Sequence, residues 1–389
     1  MMFLVGPPGF EPGISRDLMP GASSGGHPTA RLRARYQVLP YLFKVSAPRL
    51  ILLGKNSSLS SLGRCLLDMV DIVALGEPLV QFNAVTDGPL RHVVYFEKHA
   101  AGSEANVCVA AVRLGVSCGL ITRLGMDEFG LYIYNWLRGE GVDVSHIKFD
   151  PERPTGIYFV QRNYPLPGIS DVVYYRRGSA ASALSPEDID EEYIASARLF
   201  HTTGITLAIS DSARETAKRG VEVARKNGVP VSFDVNYRRK LWRNADDAVR
   251  AFMDILRFVD ILFLDENEAD LLLGVSNPVD VFRELSSRFG IDRVVLKLGL
   301  RGSIINWKGK VVRVDAYRVP VKDPIGAGDA YAGVFLASIL KGFNVEDAAR
   351  RASAAAAMVV MVRGDEENLP REEDLEKFLS GYGRQVDFR

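Results

Sequence analysis

Asp323-Pro324-Ile325-Gly326-Ala327-Gly328-Asp329-Ala330 runs directly into the apolar helical pattern Tyr331 to Leu340. Gly326 and Gly328 carry no side chain, so the backbone there can approach a ligand closely and turn its amides inward. The amides of Gly326, Ala327 and Gly328, with the partial positive charge of a helix N-terminus, then make a place for an anion. Asp329 in the first turn sets a carboxylate beside that anion, within reach of the proton of an attacking hydroxyl. An anion hole and a base in one turn are the pair that phosphoryl transfer requires. A plain turn followed by a helix-capping aspartate uses the same residues, so the chemical reading depends on the elements around them.

Bulk properties narrow the field. The chain has 389 residues, 47% of them hydrophobic, enough for one large α/β domain with a smaller attachment. Its 48 basic and 48 acidic side chains cancel, which leaves no bulk field to hold nucleic acid or an anionic membrane surface. No run approaches the roughly 18 to 20 apolar residues that a membrane span needs. Cys65, Cys108 and Cys118 lack the spacing of a zinc site, a redox motif or a disulfide framework, and are expected to be ordinary thiols in a reducing cytoplasm. The five histidines share no helical face, and no Ser-His-Asp arrangement is visible.

Residues 1–68 carry turn chemistry without helical or strand period, as in Gly6-Pro7-Pro8-Gly9 and Ser23-Ser24-Gly25-Gly26, and are expected to be disordered or a spurious extension before a start at Met69. From Met69 short apolar runs alternate with amphipathic helices, the pattern of a doubly wound, mostly parallel α/β sheet over residues 69–380. Core strands are expected at Ile72–Leu75, Gly119–Thr122, Leu199–Thr202, Val231–Phe233, Ile261–Leu264 and Val294–Lys297, each followed by a helix. Thr155–Arg162 and Val172–Arg177 alternate polar with β-branched and aromatic residues and predict an antiparallel hairpin. With further lid strands near 81–95, it would form a small sheet over a cleft.

Placed in that frame, the glycine-aspartate segment resembles the C-terminal signature of the ribokinase-like, or PfkB-type, carbohydrate kinases. Ala101-Gly102-Ser103-Glu104-Ala105-Asn106 and Leu124-Gly125-Met126-Asp127-Glu128-Phe129-Gly130 are similar to the family's N-terminal motif. The resemblance covers about Met69 to Leu379. Gly76-Glu77-Pro78-Leu79, Thr155-Gly156-Ile157-Tyr158, Tyr174-Tyr175-Arg176 and Asn236-Tyr237-Arg238 resemble the archaeal 2-keto-3-deoxygluconate kinase branch.

The resemblance implies ATP as phosphoryl donor, Mg²⁺ carried with it, and Asp329 as the base acting on a sugar's primary hydroxyl. Lys297, Gly299, Arg301 and Gly302 would form the nucleotide loop, with Asn236 nearby. Gly102, Asn106, Tyr158, Tyr174 and Asp365 would face the sugar. A keto-deoxy acid also needs a carboxylate clamp, and Arg176 and Arg238 are the candidates, since the planar guanidinium fork matches a carboxylate. Strand alternation lets only one of Arg176 and Arg177 face the cleft. Glu268 is a candidate magnesium-linked residue, although Asp265-Glu266-Asn267-Glu268 departs from the family's Asn-X-X-Glu at its first position. The partner implied is a small acidic sugar, with association of copies through the lid sheet. A neutral sugar or nucleoside on the same fold is the competing assignment. A dinucleotide-binding oxidoreductase is excluded, because Gly76-Glu77-Pro78-Leu79 after the first strand lacks the Gly-X-Gly-X-X-Gly turn.

Overall fold

The structure, a computed structural model, describes residues 70–166, 168 and 170–382. The expectation for residues 1–68, and Cys65 with it, lies outside the described residues. In chain order the strands are β1 (Ile72–Leu75), β2 (Leu79–Ala84), β3 (Phe96–Ala101), β4 (Cys118–Gly125), β5 (Ile147–Asp150), β6 (Ile157–Gln161) and β7 (Asp171–Tyr175). After them come β8 (Leu199–Thr203), β9 (Val231–Asp234), β10 (Ile261–Asp265), β11 (Arg293–Lys297), β12 (Ser303–Trp307) and β13 (Lys310–Val314).

Nine strands build one sheet in the order β13-β12-β11-β10-β9-β8-β1-β4-β5. All neighbours from β11 to β5 are parallel. Consecutive strands run outward from β1 to β5 on one side and from β8 to β11 on the other. The order therefore reverses between β1 and β8, and a crevice opens there beyond the carboxyl ends of the strands. Both faces of the sheet are covered, which the period of two in β1 makes concrete. Ile72 and Ala74 pack toward helices Ser103–Arg113, Ala327–Leu340 and Val345–Val359. Val73 and Leu75 pack toward helices Asp211–Lys226, Ala245–Leu256 and Pro278–Phe289.

All six expected core strands form, but the first and the last have no helix after them: β1 runs straight into β2 of the small sheet. β11 leads instead through a short turn into β12 and β13, which pair antiparallel. Gly299 and Gly302 in that turn favour reversal over helix. The small sheet has the order β3-β2-β6-β7. Its β6–β7 pair is the expected antiparallel hairpin, and β2 joins β6 in parallel. Near 81–95 lie the end of β2, at Ala84, and the connection that leads to β3, at Phe96. Gly88 and Pro89 lie in the connection between β2 and β3, whose ladder pairs Leu79 to Ala84 with Ala101 to Phe96 without a break. A second difference concerns the cysteines. Cys108 and Cys118 are joined as a disulfide, their Cα atoms 5.2 Å apart, because helix Ser103–Arg113 lies directly on β4. That proximity comes from the tertiary packing and leaves no mark in the spacing.

Candidate active site

Parallel strands end in polar residues along the crevice. Glu77 comes just after β1, Asp234 and Asp265 close β9 and β10, and Lys297 closes β11. From the opposite side comes helix Ala327–Leu340, whose N-cap is Gly326 at φ 80°, with no side chain among the described residues satisfying its first amides. Those amides are free to meet an anion. A cavity of about 610 Å³ lies between these groups and the lid.

Asp329 stands at its centre. Ser103 Oγ donates to Oδ1 at 2.6 Å and Asn106 Nδ2 to Oδ2 at 3.1 Å. Asn236 Nδ2 reaches Oδ1 at 3.3 Å and Ser103 Oγ at 2.9 Å. Burial raises the Asp329 pKa above the usual aspartate value, and the Asp234 charge adds to this. The Ser103 bond and the Arg238 charge pull the other way. The result is a carboxylate fixed in orientation and made more basic, as a proton acceptor requires.

At the carboxyl ends of β9 to β11 one lysine stands among acidic groups. Lys297 Nζ contacts both Asp234 oxygens at 2.9 and 2.8 Å. Burial works against its ammonium, but Asp234 and Glu268 more than offset this and lift its pKa above the usual lysine value. A methyl placed on Gly328 would lie 3.8 Å from Lys297 Nζ, so the ammonium faces the helix mouth. Glu268 is held differently from a metal ligand. Its Oε1 accepts from Tyr237 N and its Oε2 from Asp265 N, each at 2.7 Å. Burial pushes it to about 7, against the Lys297 charge and with the Asp234 charge.

On the lid side, Gln81 Nε2 donates to Tyr158 Oη at 2.6 Å, and Tyr158 Oη donates to Asp365 Oδ2 at 3.1 Å. Burial, with the Asp329 charge behind it, pushes Asp365 to about 8. Gly102 at φ 134° starts helix Ser103–Arg113, and a Cβ there would meet Pro78 Cα at 2.7 Å, so only glycine lets the two segments close up.

Arg176 is buried and Arg177 exposed, which settles the alternation of the pair. Arg176 Nε donates to Glu77 Oε2 at 2.7 Å, so much of its fork is already occupied. Arg238 lines the cavity, exposed to it, with no ion-pair partner among the described residues. Tyr174, Asn236 and Gly299 also line it. Asn106 and Ala327 stand behind that surface. Arg301 and Gly302 are not in the lining: Arg301 is exposed and paired with Glu266, and Gly302 belongs to the turn into β12.

Three contributors escaped the sequence reading of roles. Ser103 sits at the first helical position after Gly102, and Asp234 and Glu77 lie at carboxyl ends of parallel strands. Those positions are the available signal, because ligands of doubly wound sheets bind there.

A doubly wound sheet that aims a seated carboxylate, a lysine and an uncapped helix mouth into one crevice defines a small-molecule phosphotransferase. Residues 69–372 match the model of the pfkB family carbohydrate kinases, and the chain belongs to that family. It is 50% identical over 312 residues to the 2-dehydro-3-deoxygluconokinase of Thermoproteus tenax, covering 80% of this chain and 94% of that one. It is 35% identical over 327 residues to the 5-dehydro-2-deoxygluconokinase of Clostridium perfringens, covering 81% and 96%. An uncharacterized sugar kinase of Pyrococcus horikoshii, solved in complex with ATP, superposes with a TM-score of 0.68 at 29% identity, covering 79% and 97%.

Proposed function

We propose that this carbohydrate kinase transfers the γ-phosphoryl group of ATP to the primary hydroxyl of 2-keto-3-deoxygluconate, with Asp329 as general base. The observation that carries the reading is the pairing of the Asp329 carboxylate, seated by Ser103, Asn106 and Asn236, with the uncapped start of helix Ala327–Leu340. The hydroxyl loses its proton to Asp329 as it attacks. The amides of Gly326, Ala327 and Gly328, with Lys297, then hold charge on the transferring group. Mg²⁺ would accompany the ATP phosphates and neutralise their charge. Both Glu268 oxygens already accept backbone amides, so this residue suits holding a water of the ion better than binding it directly. ATP as donor fits a cytoplasmic setting.

Arg238 supports an acidic substrate. It faces the cavity without an ion-pair partner among the described residues, whereas Arg176 serves Glu77. Asp365 and Tyr158, on the lid side, suit hydroxyl recognition. The test is phosphorylation of a panel containing 2-keto-3-deoxygluconate, its galactonate epimer, 5-dehydro-2-deoxygluconate, ribose, fructose and adenosine. Arg238→Gln is expected to raise KM for the acidic sugar by roughly 10- to 100-fold, the worth of one hydrogen bond to a charged group. Turnover of ribose or adenosine with no acidic sugar accepted sinks the assignment.

The outer face of the lid supports association of two copies. Phe96 and Tyr175 lie 5.2 and 5.6 Å from Phe159 between ring centroids, and Tyr175 is 63% exposed. Light scattering should give a dimer mass for the wild type and a monomer mass for Tyr175→Glu. A monomeric wild type refutes this arrangement.

A further inference from the structure

The lid and the glycine loop are joined by a buried ionic contact that the chemistry above does not use. Asp323 opens the loop that reaches Gly326 three residues later, and it is 0% exposed. Arg162, just past β6, donates through Nη2 to Asp323 Oδ2 at 2.6 Å. Asn83 of β2 donates to the same oxygen at 3.0 Å, and Arg162 Nε donates to Asn83 Oδ1 at 2.7 Å. The other carboxylate oxygen accepts from Ile325 N at 3.3 Å and so shapes the turn leading to Gly326. Lys322 O also accepts from Arg162, at 3.4 Å.

Two further observations give this cluster a direction. Among the described residues the loop is also tethered by bonds from Lys322 N and Asp323 N to Val360 O at 2.8 and 3.2 Å, so one end of the loop is held by the body and its turn by the lid. Asn83 Nδ2 also reaches Gln81 Oε1 at 3.4 Å, and Gln81 leads to Tyr158 and Asp365 on the sugar side of the cavity. A side chain that feels the sugar is thus three contacts from the carboxylate that sets the phosphate loop. A buried ion pair adds little net stability over an apolar pair of equal size, yet losing one partner leaves an uncompensated charge. Any displacement of the lid must therefore carry the loop with it or strand Asp323.

We infer that Arg162, assisted by Asn83, is a positioning residue that makes the geometry of the anion hole depend on the position of the sugar lid. The inference rests on the proposed role of residues 326–329. Closure of the lid on a sugar fixes Asp323, Asp323 fixes the turn at Ile325, and the amides of Gly326 to Gly328 come into register. Without sugar the hole is not held in that register, which limits transfer of phosphate to water.

The test uses the full chain as wild type, Arg162→Met, Asp323→Asn, the double variant and Arg162→Lys. Turnover is measured with the sugar that the wild type uses best, alongside thermal melting and hydrogen exchange of peptides spanning residues 322–329. Each single substitution is expected to lower kcat by about 10²-fold, the cost of a misplaced reacting group, with KM for sugar and ATP little changed. The double variant should fall no further than the worse single one, since both act through one contact. Arg162→Lys, which keeps the charge and loses the fork, should recover part of the rate. In the wild type, sugar alone should slow exchange across the loop, and in Arg162→Met it should not. Wild-type kcat in a cooperatively melting Arg162→Met, multiplicative losses in the double variant, or an intact exchange response in Arg162→Met each overturn the inference. If Arg162→Met does not fold, Arg162→Lys and Asn83→Ala are read by the same measurements and the same criteria. A wild type that turns over no sugar defeats the proposed function instead. The exchange response to each sugar of the panel then still decides whether the lid and loop are coupled.

Discussion

Asp329→Asn is expected to lower kcat by roughly 10²- to 10⁴-fold, the span of general base catalysis, with little change in KM for either substrate. The substitution keeps the shape of the side chain and removes its capacity to accept a proton. Ser103, Asn106 and Asn236 remain in place, so binding should survive while transfer does not. The wild-type pH profile depends on the same group. Its pKa is raised by burial, so kcat should climb with pH while Asp329 ionises and level off once it is fully charged. That rising limb should vanish in the variant. Stability moves oppositely. A carboxyl that holds its proton more tightly when folded makes the native state lose stability as pH rises from the ordinary aspartate value through the raised one. Asn carries no such penalty, so the variant should melt no lower than the wild type above that window. Full kcat in Asp329→Asn, measured by coupled ADP release, would remove the base from the mechanism.

Much of this arrangement was legible in the chain because local rules and tertiary structure agree. β1 and β10 are short, almost wholly apolar runs buried on both faces, and such runs announce a parallel sheet without any partner being known. The glycine loop was legible because backbone freedom, a helix start and an acid coincide within eight residues. Ion-pair assignments were not. Arg176 and Arg238 carry the same charge and read alike, and only the fold puts Glu77 against the first and leaves the second facing the cavity. Asp234 was hidden for a related reason. Its value lies in meeting Lys297, which is 63 residues away and two strands across. The turn after β11 misled for a local reason, since a strand followed by glycines can precede a helix or a reversal. Arg162 looked like the end of a lid strand, and its contact with Asp323 spans 161 residues that no periodicity connects.

Gly326→Ala should cost nearly as much activity as loss of the base, by a different route. At φ 80° a residue with a Cβ is strained by roughly 1–2 kcal/mol, and here space is also missing. The added methyl would stand 2.6 Å from Asp365 Oδ1 and press on the Asp365 carbonyl, which is backbone and cannot swing aside. The loop has to move outward, taking the amides of Ala327 and Gly328 from the phosphate, and a shift of about 1 Å can cost 10²-fold in rate. Gly328→Ala is the control. Gly328 is not at a positive φ, and its nearest contact would be Lys297 Nζ at 3.8 Å, ordinary van der Waals distance. It should therefore retain wild-type stability and lose affinity for ATP through crowding of the phosphate, while Gly326→Ala loses kcat and melts earlier. The two variants are separated by melting curves and by KM for ATP against kcat. If both behave alike, the left-handed turn at Gly326 is not what builds the anion hole, and the backbone amides lose their claim to the transferring phosphate.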